Sequence, residues 1–247
     1  MLATLFFDID HFKQINDMHG HEAGDALLRE AAARVSDVTR NYDLLARFGG
    51  DEFVMIMSNV ENRADVIYVA EKIIGSFSQP FELPHAEVTV TTSIGISVFP
   101  EDGDDPSELL KNADLAMYRA KADGRNGYQF FNAEMNLELQ YSQWVETNLR
   151  EALSNNGLEL HYQPQVNLDN GKVESCEALI RWPQGSGDNV NPADFIRIAE
   201  RSALINEISH WVLKETCRQI HEWTDKGYET VRVDINMSGK DFVDKGV

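Results

Sequence analysis

Two pairs of carboxylates sit beside strand-like runs. Asp51 and Glu52 directly follow Gly49-Gly50, between the apolar stretches Leu44-Leu45-Ala46 and Phe53-Val54-Met55-Ile56-Met57. Two β-rich runs split by paired glycines read as a hairpin, because glycine tolerates the positive φ angles of a tight turn. A turn without Cβ atoms lets a bulky ligand approach the backbone. Carboxylates behind it can hold a hard cation through oxygen. A plain solvated Gly-Gly-Asp turn is written with the same residues. The second pair, Asp8 and Asp10, ends the apolar run Leu2 to Ile9, which suits a buried strand. Alternation sends Asp8 and Asp10 to one face and Ile9 to the other. Open α/β architectures place ligands at such strand ends, although two aspartates there also serve as turn caps.

The residues between these pairs add a polar reader and a cation source. Asn16 and Asp25 offer an amide and a carboxylate, which suit the donor and acceptor edge of guanine; Asp25 alone also suits a helix start. Lys121 and Arg125 flank Gly124 at the end of a helical pattern. They read either as a basic C-cap or as a phosphate clamp. The elements that must hold these groups follow from periodicity. A long amphipathic helix opens near His19-Gly-His-Glu-Ala-Gly-Asp25, with Leu27, Leu28, Ala31, Ala32 and Val35 on its apolar face. A second helix spans Asn62 to Phe77, and a single β-branched strand runs from Val88 to Val98. A third helix runs from about Asp105, with Pro106 early, to about Ala122, and Gly127 to Phe131 is a last short strand.

Composition narrows the classes. The chain has 247 residues, a soft prior for one or two domains, and a hydrophobic content of 43% that can bury a real core. A formal net charge of −19 argues against a general nucleic-acid or anionic-membrane binder. An anionic substrate then needs local cations or a metal. Cys176 and Cys217 make no disulfide or zinc pattern, so a reducing, cytoplasmic setting is expected. No apolar run approaches the ~20 residues of a membrane span. Met1 is followed almost at once by a core-like strand, so the domain is expected to begin upstream, where a parent protein could carry a membrane tether.

Five segments, in order, resemble the successive motifs of the GGDEF family of diguanylate cyclases: Phe6-Phe-Asp-Ile-Asp-His-Phe-Lys-Gln-Ile-Asn16, Gly20-His-Glu-Ala-Gly-Asp25, Arg47-Phe-Gly-Gly-Asp-Glu-Phe53, Ser93-Ile-Gly-Ile-Ser97 and Ala120-Lys-Ala-Asp-Gly-Arg-Asn126. The resemblance implies a ferredoxin-like, nucleotide-cyclase-like α/β fold over residues 1–131. It also implies roles. Asp8, the Ile9 carbonyl and Asp51 would hold Mg2+ or Mn2+, and Glu52 would complete the catalytic signature with Asp51. Asn16 and Asp25 would bind guanine, Gly49 and Gly50 would admit the nucleotide, and Lys121 and Arg125 would hold the phosphates of GTP. Two domains, each with one GTP, would have to face each other, implying a homodimer. Arg40 and Asp43 match the family's inhibitory RxxD site, where the product cyclic di-GMP would bind. A D-x-L-T-G-L-x-N-R element that family members carry upstream of the first strand is missing here.

Residues 132–153 read as a linking helix, with Leu137, Tyr141, Trp144, Val145 and Leu149 at helical spacing, a stripe that core packing or a dimer seam explains. Beyond it, Leu158 to Val166 and Val173 to Trp182 read as strands joined by a turn. Helices over about Pro192 to Ser202 and Asn206 to Asp225 follow, then a strand at Val231 to Asn236. Such alternation argues for a parallel sheet or barrel. Tyr162-Gln-Pro, Glu177-Ala-Leu-Ile-Arg181-Trp, Pro192-Ala-Asp-Phe-Ile196 and Asn236-Met-Ser with Phe242 resemble the opening of the EAL family of cyclic di-GMP phosphodiesterases. By that resemblance Glu177 and Asn236 would be metal ligands, and Gln163 and Arg181 would contact substrate. Residues 154–247 are far fewer than the ~250 of a (β/α) barrel, so an incomplete barrel without hydrolytic activity is expected. The expected function is a diguanylate cyclase in a tandem GGDEF–EAL protein. The alternative is a silent module that binds GTP or cyclic di-GMP and regulates the phosphodiesterase half.

Overall fold

The computed structural model describes residues 1–40, 42–84, 86–184, 189–202, 204–229 and 231–239. They fall into two units, Met1–Leu137 and Glu138–Val247. In the first, β1 (Leu2–Ile9) leads through α1 (Phe12–His19) and α2 (His21–Val38) to the hairpin β2 (Leu44–Gly49) and β3 (Glu52–Met57). Then come α3 (Arg63–Phe77), β4 (Phe81–Leu83), β5 (Ala86–Val88), β6 (Thr92–Phe99), α4 (Pro106–Ala122) and β7 (Gly127–Phe130). Helix α5 (Glu134–Ser154) carries the boundary between the units. The second unit continues with β8 (Glu159–Val166), β9 (Val173–Pro183), β10 (Asn189–Val190), α6 (Pro192–Arg201), α7 (Leu204–Asp225) and β11 (Arg232–Ile235).

The first unit is a five-stranded sheet in the order β2-β3-β1-β6-β7. β1 is central because its run is apolar on both faces. Ala3, Leu5, Phe7 and Ile9 join the main core with α2 and α3 residues, whereas Phe6 packs with Val54, Ala113 and Met117 under α4. Helix starts follow local chemistry: Asn62 forms a capping box with Asp65 at α3, and Asp105 caps α4 with Pro106 in its first turn.

The long strand expected over 88–98 is instead two elements. β5 folds back to pair with β4, and β6 begins at Thr92. Thr91 and Thr92 turn their hydroxyls to Asp10 Oδ2 and the Asp8 carbonyl, at 2.6 Å each, so tertiary contacts override a β-branched run.

Gly95 of β6 sets the height of α4 above the sheet. A Cβ there would lie 1.9 Å from the Ala113 carbonyl oxygen and 2.1 Å from the Met117 nitrogen, both backbone. Gly95→Ala is therefore expected to destabilise the unit by about 3 kcal/mol or more, read as a lowered thermal midpoint. An unchanged midpoint would show that α4 can move away at no cost.

In the second unit, β8 and β9 form an antiparallel hairpin, β11 runs parallel to β9, and β10 extends the β9 end. α6 and α7 cross over between β9 and β11, and their apolar faces join Val145, Leu149 and Trp182 in one cluster. Among the described residues this is an open four-stranded sheet, not a closed barrel. The aromatic stripe of α5 is only partly covered: Val145 and Leu149 are fully buried, but Leu137 is 67% exposed.

Candidate functional site

The C-terminal end of β1 meets the start of β3 and the last turns of α4. Asp8 and Glu52 are direct partners across the β1–β3 ladder, so both side chains leave on the α4 face. Asp8 is buried, and its Oδ2 is ion-paired with the Lys121 ammonium. Its Oδ1 is buried without a partner. Burial pushes the Asp8 carboxyl up to about 6; Lys121 pulls it down, and the charges of Asp51 and Asp10 push it up. Glu52 is likewise raised, by burial first and then by Asp114 and Asp51, against the pull of Lys121. Asp114 is raised by burial with Lys121 opposing, although it keeps substantial contact with solvent. Sequence reasoning passed over Asp114. Its spacing of seven from Lys121 was the available signal, since two helical turns return to the same face.

Asp10, on the same face as Asp8, behaves differently. Its oxygens accept hydrogen bonds from Thr91 Oγ1, Ser93 Oγ and the Asn126 backbone nitrogen. It is a satisfied carboxylate, and Asp8 is the one with a spare oxygen. Among the described residues no three His, Cys, Asp or Glu side chains converge into a metal cage. That suits a magnesium-type site, which takes one or two carboxylates and completes its shell with water and substrate phosphates. The orphaned Asp8 Oδ1, beside a cluster whose mutual repulsion a cation would relieve, fits such an ion. The Lys121 ammonium already sets one positive charge against this cluster.

The hairpin turn is open. A Cβ at Gly49 or Gly50 would meet nothing within 4 Å. Only Gly50 needs glycine's freedom, at φ 52°; the ladder shifts register between Arg47 and Gly49, and Arg47 Nε donates to the Gly50 carbonyl at 2.8 Å.

Asn16 and Asp25 belong to α1 and α2, on the opposite face of the sheet from α4. Asn16 Oδ1 is buried without a partner, and a Cβ on Gly24 would fall 2.0 Å from it, so glycine at 24 leaves the room the amide occupies. Asp25 lines a cavity of about 600 Å³ with Leu28, Arg29, Leu45, Arg47 and Phe53. Lys121 and Arg125 stand at the end of α4 as the spacing predicts, Lys121 on Asp8 and Arg125 with its Nε 3.9 Å from Asp10 Oδ1.

Arg40 and Asp43 form a turn and not an ion pair. The Asp43 carboxylate accepts from the Arg40 backbone nitrogen at 3.3 Å, while the Arg40 guanidinium donates to Tyr42 Oη at 3.0 Å. Asp43 Oδ1 is buried without a partner.

In the second unit, Asn236 Nδ2 donates to Glu177 Oε1 at 2.7 Å, and Gln163 lies opposite Glu177 in the β8–β9 ladder. Arg181, two alternations along β9, donates to the Ile180 carbonyl. It lines a cavity of about 290 Å³ with Glu200, Asn236 and Ser238. Phe242 lies outside the described residues.

Comparison with known proteins finds two families along the chain. The family model described as "Diguanylate cyclase, GGDEF domain" matches residues 1–127, and the EAL domain model matches residues 146–247. A bifunctional diguanylate cyclase/cyclic di-GMP phosphodiesterase, MucR of Pseudomonas aeruginosa, is 43% identical over 99% of this chain and 36% of its own length. The cyclic di-GMP phosphodiesterase PdeR of Escherichia coli is 38% identical over 100% of this chain and 37% of its own. The chain thus spans little more than a third of the length of these relatives. Among solved structures, the GGDEF domain of TpbB (YfiN) from Pseudomonas aeruginosa is 41% identical, with a TM-score of 0.55 over 56% of this chain and 81% of that one. An EAL/GGDEF domain protein from M. capsulatus is 44% identical, with a TM-score of 0.51 over 53% and 84%. No helix among the described residues is long and apolar enough to cross a membrane. The chain belongs to the GGDEF family of cyclic di-GMP signalling proteins, with a GGDEF domain at residues 1–127 followed by EAL-family sequence at residues 146–247.

Proposed function

We propose that the first unit is a diguanylate cyclase that condenses two GTP into cyclic di-GMP and pyrophosphate. The observation that carries this reading is the Asp8–Glu52–Lys121 cluster, in which one buried carboxylate oxygen is kept free beside a glycine turn open to a nucleotide. GGDEF and EAL domains use divalent metals. Held by Asp8, the Ile9 carbonyl and Asp51, such an ion would polarise the α-phosphate and lower the pKa of the attacking 3′-hydroxyl.

The chain's own residues do the rest. Asn16 Oδ1 and the Asp25 carboxylate are both acceptors, matching the two N–H donor groups on the guanine edge. The nucleotide would cross the glycine turn from the α2 face to the α4 face, where Lys121 leaves Asp8 for the phosphates and Arg125 joins it. Asp51 accepts the hydroxyl proton. Positioning and charge neutralisation supply most of the acceleration, as in other phosphoryl transfers. Each unit presents one GTP, so both phosphodiester bonds require a homodimer. In the tandem reading, Glu177, Asn236, Gln163 and Arg181 are the start of a phosphodiesterase site in a longer protein, and Arg40 with Asp43 is the product's feedback site.

A second reading is a regulatory module that binds GTP without turning it over. It is favoured by the relatives PdeR and NbdA, 38% identical each and both named as cyclic di-GMP phosphodiesterases. Calorimetric titration with GTP, paired with a pyrophosphate assay, separates the two. Binding with pyrophosphate release supports the cyclase; binding without release supports the regulator.

A further inference from the structure

Asp10 lies outside the proposed ligand set, yet its side chain is only 1% exposed and gathers three chain segments. It leaves the end of β1, and its backbone nitrogen donates to the Thr91 carbonyl at 2.9 Å. Oδ2 accepts from Thr91 Oγ1 at 2.6 Å and from the Asn126 backbone nitrogen at 3.3 Å, and Oδ1 accepts from Ser93 Oγ at 2.8 Å. Arg125 Nε stands 3.9 Å from Oδ1.

The third segment, after α4, has an unusual backbone. Gly124, Arg125 and Asn126 have φ angles of 119°, 62° and 48°. Two consecutive non-glycine residues in the left-handed region persist only where their surroundings hold them. The holding contacts here are the Arg125 nitrogen to the Ala120 carbonyl at 3.1 Å and the Asn126 nitrogen to Asp10. The Arg125 side chain is 45% exposed; its Nε faces Asp10. A guanidinium steered by its Nε keeps its two terminal nitrogens for a bidentate grip on phosphate.

We propose that Asp10 is a positioning residue for the triphosphate: it fixes the left-handed turn at 124–126 and orients Arg125, without touching nucleotide or metal. This rests on the reading of the site as one that binds GTP. A purely structural buried aspartate would affect the fold and every ligand alike. A positioning role predicts a loss confined to ligands that carry phosphates.

The test measures the affinity of wild type, Asp10→Asn, Arg125→Ala and the double variant for 3′-deoxy-GTP, which lacks the attacking hydroxyl, and for guanosine, which lacks phosphates. Asp10→Asn is expected to weaken 3′-deoxy-GTP binding about tenfold and leave guanosine binding unchanged. In the double variant the second change should add little to the first, because both act on the same grip. Equal losses for both ligands, no loss, or full additivity would overturn the proposal. Should Asp10→Asn fail to fold, Ser93→Ala, which removes one of the three donors, takes its place with the same selective loss expected. A wild type that binds neither ligand would overturn the GTP-binding reading itself, whereas a wild type that binds both with an unaffected Asp10→Asn would sink this proposal alone.

Discussion

Asp8→Asn is expected to make the metal-free protein more stable above pH 7 while lowering cyclic di-GMP formation by about a thousandfold. The two effects share one cause. A carboxyl held at about 6 in place of its ordinary 3.8 is charged at a disadvantage in the folded state, even with Lys121 paired to it. That disadvantage is worth roughly 3 kcal/mol. Because the folded pKa is the higher one, the folded state binds the extra proton between the two values. The favourable contribution of the protonated form is complete below about 3.8 and is lost as pH rises through about 6. Asparagine never ionises, so its advantage should appear across that window and persist above it. Lys121 loses its partner, but its side chain is 29% exposed and its ammonium can reach water. Thermal midpoints in a chelator from pH 4 to pH 8 measure this. A variant less stable than wild type at pH 8, or a difference that does not grow between pH 4 and pH 7, would contradict it.

Lys121→Met should cost about a hundredfold to a thousandfold in kcat/KM for GTP, the scale of losing a preorganised charge on a reacting phosphoryl group. It should also change the metal-free protein in a way that a simple loss of substrate contact would not. Both forces that lower the Asp8 carboxyl, a hydrogen bond and a charge, come from Lys121. Without them burial and the neighbouring carboxylates act unopposed, so Asp8 rises further. Stability should then keep falling with pH beyond about 6, where the wild type has levelled off. Midpoints that track the wild type across pH would show that Lys121 does not serve as the resident cation of the free site.

Much of the architecture follows from local patterns. The apolar run of β1, the capping residues Asn62 and Asp105, and the glycine turn after Arg47 each state their element in the sequence. The residues of the site were legible as types and spacings because strand alternation and helix ends place them with little help from the rest of the chain. What the sequence does not show depends on tertiary contact. The difference between Asp8 and Asp10 lies in which of them meets Thr91, Ser93 and Asn126, and no spacing reveals that. The break at residues 89–91 is hidden because threonines favour strands, while the Thr91 hydroxyl is used on Asp10 and that of Thr92, where β6 begins, on the Asp8 carbonyl. Asp114 becomes part of the site only once Gly95 lets α4 settle onto the sheet. The local turn at Arg40 is also invisible to spacing: the Arg40 backbone nitrogen donates to Asp43 Oδ2 while its guanidinium donates to Tyr42 Oη.

The central claim is that the cluster around Asp8, Asp51 and Glu52 makes cyclic di-GMP. The most direct measurement incubates the purified chain with GTP and Mg2+, follows pyrophosphate and cyclic di-GMP, and runs Asp51→Ala in parallel. The account expects both products from the wild type, in a ratio of two pyrophosphates per cyclic dinucleotide, and neither from Asp51→Ala. Bound GTP with no product from the wild type, or product from Asp51→Ala at the wild-type rate, would contradict it.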